Sequence, residues 1–285
     1  MTTTPPIVEL RAGELQLALR PDLGASIAGL WMAGLPVLRS APPAELAAPR
    51  AGSGFVMAPY SNRVGFGRFR WQGHDHTLRM NFEGSPHPLH GVAWLRAWTV
   101  LSQSETEVEL RYEHTPDADW PFAFSLVQRL VLTPAALELH LAFTNTATQP
   151  QPAGLGWHPY FPKRTRSRLH IEVAGRWETD ANQLPTRMVP QTGIDGDVAH
   201  LAFDNCFEGW HGAARIRDEK LSLRLSSSLP YLVVYTPADR DFFCVEPVSH
   251  VNNALHLAEP TTHGLRNLLP GQTIDAWMKL EVATI

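Results

Sequence analysis

The chain has 285 residues, 44% of them hydrophobic and 18% charged, which is enough to bury a large core, so a single domain spanning 1–285 is expected. A formal charge of -4 at pH 7 without any run of lysines or arginines excludes the electrostatic footprint of a nucleic-acid or membrane-surface binder and leaves a small-molecule partner. Cys206 and Cys244 are too few for a disulfide scaffold, no apolar run approaches the ~20 residues of a membrane span, and the first residues lack a charged segment leading into an apolar one. The expectation is a cytoplasmic protein, monomer or homodimer, with two free thiols.

In chain order, Val8 to Leu19 alternates, and Gly29 and Gly34 break the stretch from Gly24 to Val37, so both read as short antiparallel strands. Residues 38–54 are rich in Ala and Pro and read as a surface connection with at most a helical turn. Pro59-Tyr60-Ser61-Asn62-Arg63 follows, placing an amide and a forked, permanently charged donor beside an aromatic ring, a set suited to vicinal hydroxyls. An arginine holding a nearby carboxylate is the equally weighted alternative. Gly65 to Leu78 has the alternation of a hairpin around Gly73.

Two prolines and a glycine in residues 86–98 make a loop or sheet corner that carries His87 and His90. His90, followed by Gly91, is the stronger binding candidate; the pair is only a weak metal signal, since no third ligand follows at a familiar interval. Alternation then repeats through Val108–Tyr112, Phe124–Leu132 and Leu137–Phe143, and again through Leu169–Val173, Leu221–Leu225, Tyr231–Tyr235, Phe242–Val245 and Ile274–Val282. Many short strands with no amphipathic helices between them, together with 24 prolines and 20 glycines, predict an all-β fold, a large antiparallel β-sandwich with few short helices.

Gly156-Trp157-His158-Pro159-Tyr160-Phe161 sets an imidazole among aromatic rings of the kind that cover sugar CH faces. A buried structural histidine is the ordinary reading of such a stretch. Two carboxylates complete the candidates: Asp204 in Phe203-Asp204-Asn205-Cys206-Phe207, and Glu246 at the end of the apolar strand Phe242-Phe243-Cys244-Val245-Glu246-Pro247. Desolvation there should raise the pKa of Glu246 into the range of a useful base, with an ion pair to an arginine such as Arg63 as the structural alternative.

These segments, PYSNR at 59–63, HG at 90–91 followed by Trp98, GWHPYF at 156–161, FDNCF at 203–207 and FCVEP at 243–247, resemble in order those of the aldose 1-epimerases, the galactose mutarotase-like family. The resemblance spans about residues 55 to 253. It implies a large antiparallel β-sandwich and interconversion of the α and β anomers of a free hexose such as galactose or glucose. It further implies His158 as general acid, Glu246 as general base, and Arg63, His90 and Asp204 on sugar hydroxyls, with Asn62 beside them. Trp157 and Pro159 replace the Asn and Ser that flank the acid histidine in well-known members, and Trp94 and Leu95 replace charged residues after His90-Gly91. These departures bear on the sugar rather than on the acid and base.

The chemistry moves only protons, so no metal and no cofactor are expected. A bell-shaped pH dependence follows, its lower limb set by Glu246 and its upper by His158. The alternatives are an epimerase of a hexose 6-phosphate, a non-catalytic carbohydrate-binding sandwich, and a glycosidase using Asp204 with Glu246, about 5 Å apart if retaining. The scarcity of Lys and Arg near the motifs, beyond Arg63 and Arg96, favours a neutral sugar; Arg164, Arg166 and Arg168 weigh the other way.

Overall fold

The computed structural model describes residues 5–285, and among these the regular structure is strand, with 3₁₀ turns of three or four residues and no α-helix. Two antiparallel sheets hold most of it. The larger, of eleven strands, begins at one edge with Val8–Ala12, Leu15–Arg20 and Ser26–Met32. It continues through Gly54–Met57, Gly156–Pro162, Phe242–Val248, Tyr231–Tyr235 and Asp204–Glu208 and ends with Gly175–Thr179 and Pro185–Pro190, while the two-residue strand Leu35–Pro36 pairs with Ser26–Met32 off this path. The nine-stranded sheet is built around Phe124–Thr133, Ala136–Asn145 and Thr273–Thr284. The expected antiparallel sandwich is what the chain forms.

Residue alternation explains the packing. Along Phe124–Thr133 every second residue is buried, and register pairs such as Leu126↔Phe143 and Leu130↔Leu139 put one apolar face inward. The opposite face carries polar pairs, among them Arg129 with Glu107 at 2.6 Å.

The central strands of the larger sheet are buried on both faces, so they read in sequence as continuous apolar runs rather than alternating ones. Val56, Trp157, Phe161, Phe243 and Val245 face the nine-stranded sheet and join the main core. Their neighbours Phe55, Met57, Tyr160, Cys244 and Val233 form a second cluster on the far face, with Trp94 and Trp177. His158 has the parity of Tyr160, and Glu246 that of Cys244. Strand parity therefore carries both to the far face.

Two local expectations change, and one segment without an expected secondary structure gains one. Residues 38–54 are more than a surface connection: they make 3₁₀ turns at Pro43–Glu45 and Pro49–Ala51, bury Leu38, Leu46 and Ser53, and enter the sheet at Gly54. Gly156–Pro162 is a strand, although Pro159 stands inside it. Glu246 lies within its strand, not at its end, since Phe242–Val248 continues past Pro247. These two strands pair at Gly156↔Val248 and Tyr160↔Cys244. Between those points Pro159 and Pro247 have no N–H to donate, and the ladder is interrupted. The same register sets His158 across from Glu246.

Candidate active site

The second cluster floors a cleft of about 630 Å³, within the range of small-molecule sites. All six residues singled out from sequence line it: Asn62, Arg63, His90, His158, Asp204 and Glu246. His158 Nε2 lies 3.3 Å from Glu246 Oε1, and the two residues are only 7% and 2% exposed. The imidazole stacks on Phe55 at 4.8 Å and on Tyr160 at 4.6 Å between ring centroids. Trp157 and Phe161 do not share in this, because odd parity sends them to the main core. The aromatic company of His158 is thus half local and half from the neighbouring strand, where Phe55 is its register partner.

Burial dominates the protonation of this pair. It pushes His158 down to about 3, and Glu246 well above the ordinary carboxylate range, with Asp204 raising Glu246 further and Arg63 opposing. Of the two groups, the Glu246 carboxyl is therefore the one that keeps its proton to the higher pH. These directions are the reverse of the limbs expected from the ordinary pKa values of Glu and His. His158 Nδ1 and Glu246 Oε2 make no hydrogen bond to any described residue.

The cleft wall opposite is a hydrogen-bonded chain. Asn62 Oδ1 accepts from the backbone N–H and from Nη1 of Arg63, both at 3.0 Å, which leaves the Asn62 amide nitrogen as its remaining polar group. Arg63 Nη2 donates to Asp204 Oδ2 at 3.1 Å and to Gln183 Oε1 at 2.6 Å. Arg63 thus pairs with Asp204 rather than with Glu246, and Glu246 has no ion-pair partner except His158 among the described residues.

His90 is held from its backbone outward. Asn62 and His90 both have positive φ, 57° and 62°, a conformation that local hydrogen bonding must sustain. His90 N–H donates to Asn62 O, and Asn62 N–H donates to His90 Nδ1 at 3.1 Å. The ring is therefore the Nε2–H tautomer. Burial, helped by His158 and Arg63, keeps it neutral by holding its pKa well below 6.5. Gly91 (φ 70°) lets the turn close, since a Cβ there would stand 2.1 Å from Ala58 O.

His87 is not part of the cleft. Its Nδ1 accepts from Phe66 N–H at 2.9 Å, and its Nε2 donates to Asn182 O at 3.0 Å, so both ring nitrogens are used structurally and no metal pair with His90 forms. The one group of three potential metal ligands among the described residues is His158, Cys244 and Glu246, with donor atoms within 4.8 Å of one another. Burial pushes the Cys244 thiol well above its usual range, which makes it a poor ligand near neutral pH. Cys206 and Cys244 are free and buried, as expected.

Sequence reasoning missed Phe55, Gln183, Arg39 and Tyr235 in the cleft. Gln183 reaches Arg63 across 120 residues of chain from a tight turn in which it adopts φ 62°. Nothing local in the sequence marks it.

Comparison with known proteins is consistent along the whole chain. Residues 6–281 match the family profile described as aldose 1-epimerase. An uncharacterized Escherichia coli K12 protein, YphB, is 32% identical over 293 aligned positions that cover 97% of this chain and 98% of YphB. The crystal structure of a candidate aldose 1-epimerase from Escherichia coli K12 superposes with a TM-score of 0.89 at 30% identity, covering 98% of this chain and 99% of that one. A galactose mutarotase-like protein from Clostridium acetobutylicum shares the fold at TM-score 0.86 and 20% identity, over 99% and 96% of the two chains.

Proposed function

Because the chain belongs to the aldose 1-epimerase family, we propose that it interconverts the α and β anomers of an aldopyranose, with His158 and Glu246 exchanging protons with the sugar. The observation that carries this reading is the buried His158–Glu246 contact of 3.3 Å on the floor of the cleft. Ring opening removes the proton from the C1 hydroxyl and adds one to the ring oxygen as the C1–O5 bond breaks. Rotation about C1–C2 and closure on the other face return both protons. A base and an acid that together hold one proton are what this requires.

The pair meets that requirement in either of two forms, Glu246 carboxylate with His158 imidazolium or Glu246 carboxyl with neutral imidazole, which differ by one transfer along the 3.3 Å contact. Burial favours the second without sugar. Hydroxyl donors placed against Glu246 would stabilise the first, in which Glu246 is the base and His158 the acid, the roles the family resemblance implies. Arg63, Asp204, His90 Nε2–H and Asn62 would bind the remaining hydroxyls, held by the network that joins them. A cytoplasmic setting agrees with two unpaired, buried thiols.

The test is the rate of α to β conversion, above the spontaneous background, in Glu246→Gln and His158→Asn. Each keeps shape and should lower kcat by at least about 100-fold with a much smaller change in KM, since the proton transfers belong to the transition state. Near wild-type kcat in Glu246→Gln would remove the proposed base and assign the chemistry to a different constellation, whereas no conversion by the wild type would return the protein to the carbohydrate-binding alternative.

A further inference from the structure

The charges around the cleft do not match the acidic chain. Seven charged residues line it: Arg39, Arg50, Arg63, Arg240, Glu83, Asp204 and Glu246. Arg63 and Asp204 pair with each other, and Glu246 contacts His158. Arg240 has Asp239 3.5 Å away, so Arg39 and Arg50 are the cationic lining residues without a carboxylate partner among the described residues, in a protein whose formal charge is -4. None of these arginines is among those the sequence brought forward. Arg96 pairs with Asp117 and Asp119, Arg164 with Asp218, and Arg168 with Asp195 and Asp197.

Arg39 is the central one. Its guanidinium lies 4.0 Å from the ring centroid of Tyr160 and 4.6 Å from that of Phe242. Its Nε and Nη2 donate to Gly52 O at 3.1 and 2.8 Å, and Nη2 also to Arg50 O. Three N–H groups are thus spent on holding the fork in place, whereas Nη1 has no hydrogen-bond partner among the described residues. No carboxylate lies within 4.0 Å of Arg39 or Arg50 among those residues, and Asp241 acts on Arg39 only from farther away. A fixed, half-buried guanidinium without a counter-ion is costly unless an anion meets it.

Its place in the site says which part of a sugar it would meet. Tyr160, under Arg39, stacks directly on His158. If His158 serves the ring oxygen and Glu246 the C1 hydroxyl, C5 is the ring atom that flanks that oxygen on the side away from C1, and an exocyclic group on C5 directed over Tyr160 would meet Arg39.

We infer that the aldose carries an anionic group at its exocyclic end, a phosphate, sulfate or carboxylate on C5 or C6, received by Arg39 with Arg50 and Arg240. This deepens the mutarotase reading and rests on it. It sets aside the neutral hexose that the sequence favoured, because the relevant arginines come from the 38–54 segment and from a turn at 240 that carry none of the motifs.

The experiment compares kcat/KM for anomer exchange of glucose, glucose 6-phosphate, glucose 6-sulfate and glucuronate, each above its spontaneous rate, in wild type, Arg39→Gln and Arg50→Ala. At least one anionic sugar should exceed glucose by about tenfold or more, and Arg39→Gln should cut that anionic-to-neutral ratio by about tenfold. Arg50→Ala, at an exposed position, should cut it by a few-fold and keep the fold intact. The three anions separate phosphate, sulfate and carboxylate recognition. A wild-type preference for glucose, or an Arg39→Gln loss shared equally by all four sugars, would overturn the inference and leave Arg39 as a support for Tyr160. If no sugar turned over, the epimerase reading would fail, and calorimetry of glucose 6-phosphate against glucose on wild type and Arg39→Gln would still decide the anion subsite.

Discussion

At the scale of single residues, His158 and Glu246 form one titrating unit whose apparent pKa values belong to the pair. Burial lowers the first to about 3 and raises the second, so the acid limb of kcat/KM should report a second proton arriving on His158, and the alkaline limb the loss of the shared proton from Glu246. The acid limb is then expected well below pH 6, with the alkaline limb above the ordinary carboxylate range. A pH profile of anomer exchange checks the assignment. In His158→Asn the residual activity should lose the acid limb and keep the alkaline one, and the opposite result would restore the ordinary order of the two groups.

At the scale of the element, the turn that carries His90 depends on a backbone no other residue type fits well. Gly91 has φ 70° and its α-carbon faces Ala58 O, which accepts from Val92 and Ala93 N–H. Gly91→Ala combines a left-handed backbone with a clash at 2.1 Å and should cost at least about 2 kcal/mol of unfolding free energy. It should also displace His90 and with it the Asn62–His90 hydrogen bonds. Urea unfolding gives the first effect; a raised KM with a smaller change in kcat in the fraction that folds gives the second. Wild-type stability would show that the loop relaxes around a methyl group. The neighbouring strands behave differently. Phe242–Val248 and Gly156–Pro162 are buried on both faces, which secures them even though Pro159 and Pro247 interrupt their ladder.

At the scale of the whole molecule, the fold keeps several histidines neutral by burying them. His90, His158 and His250 all have folded-state pKa values below 6.5, His250 at about 4. The unfolded chain binds protons to these groups at a higher pH than the folded one does, so their contribution to stability is complete above about 6.5 and is lost as pH falls toward the folded values. For His250 the gap between 6.5 and about 4, at about 1.4 kcal/mol per unit, amounts to about 3 kcal/mol. Glu246 acts in the opposite sense: its raised pKa makes the folded state less stable as pH rises through it. Urea unfolding between pH 4 and 7 should show stability falling with acid, and His250→Asn should flatten the curve. An unchanged slope in that variant would mean that the His250 ring gains a proton without unfolding.

Sequence alone pointed to the sandwich, because period-two alternation in short turn-bounded strands with no helices between them excludes a βαβ plan and favours packed antiparallel sheets. It also brought forward the six cleft residues, through five motifs whose order resembles the aldose 1-epimerases rather than through any one segment, since His158 and Arg63 each have an ordinary structural reading as well. It went astray where burial on both faces erased the alternation, so that Gly156–Pro162 did not read as a strand and Trp157 and Phe161 looked like neighbours of the imidazole although parity turns them inward. Only the tertiary structure set His158 across from Glu246, since strand order and register are long-range pairings that no local spacing encodes. It alone reversed the expected protonation of the pair, since desolvation depends on what the other strands and loops place around a group. For the same reason it alone brought Arg39, Arg50, Gln183 and Arg240 to the cleft: each comes from a connection without a motif, and only the closed sandwich gathers those connections around the cleft.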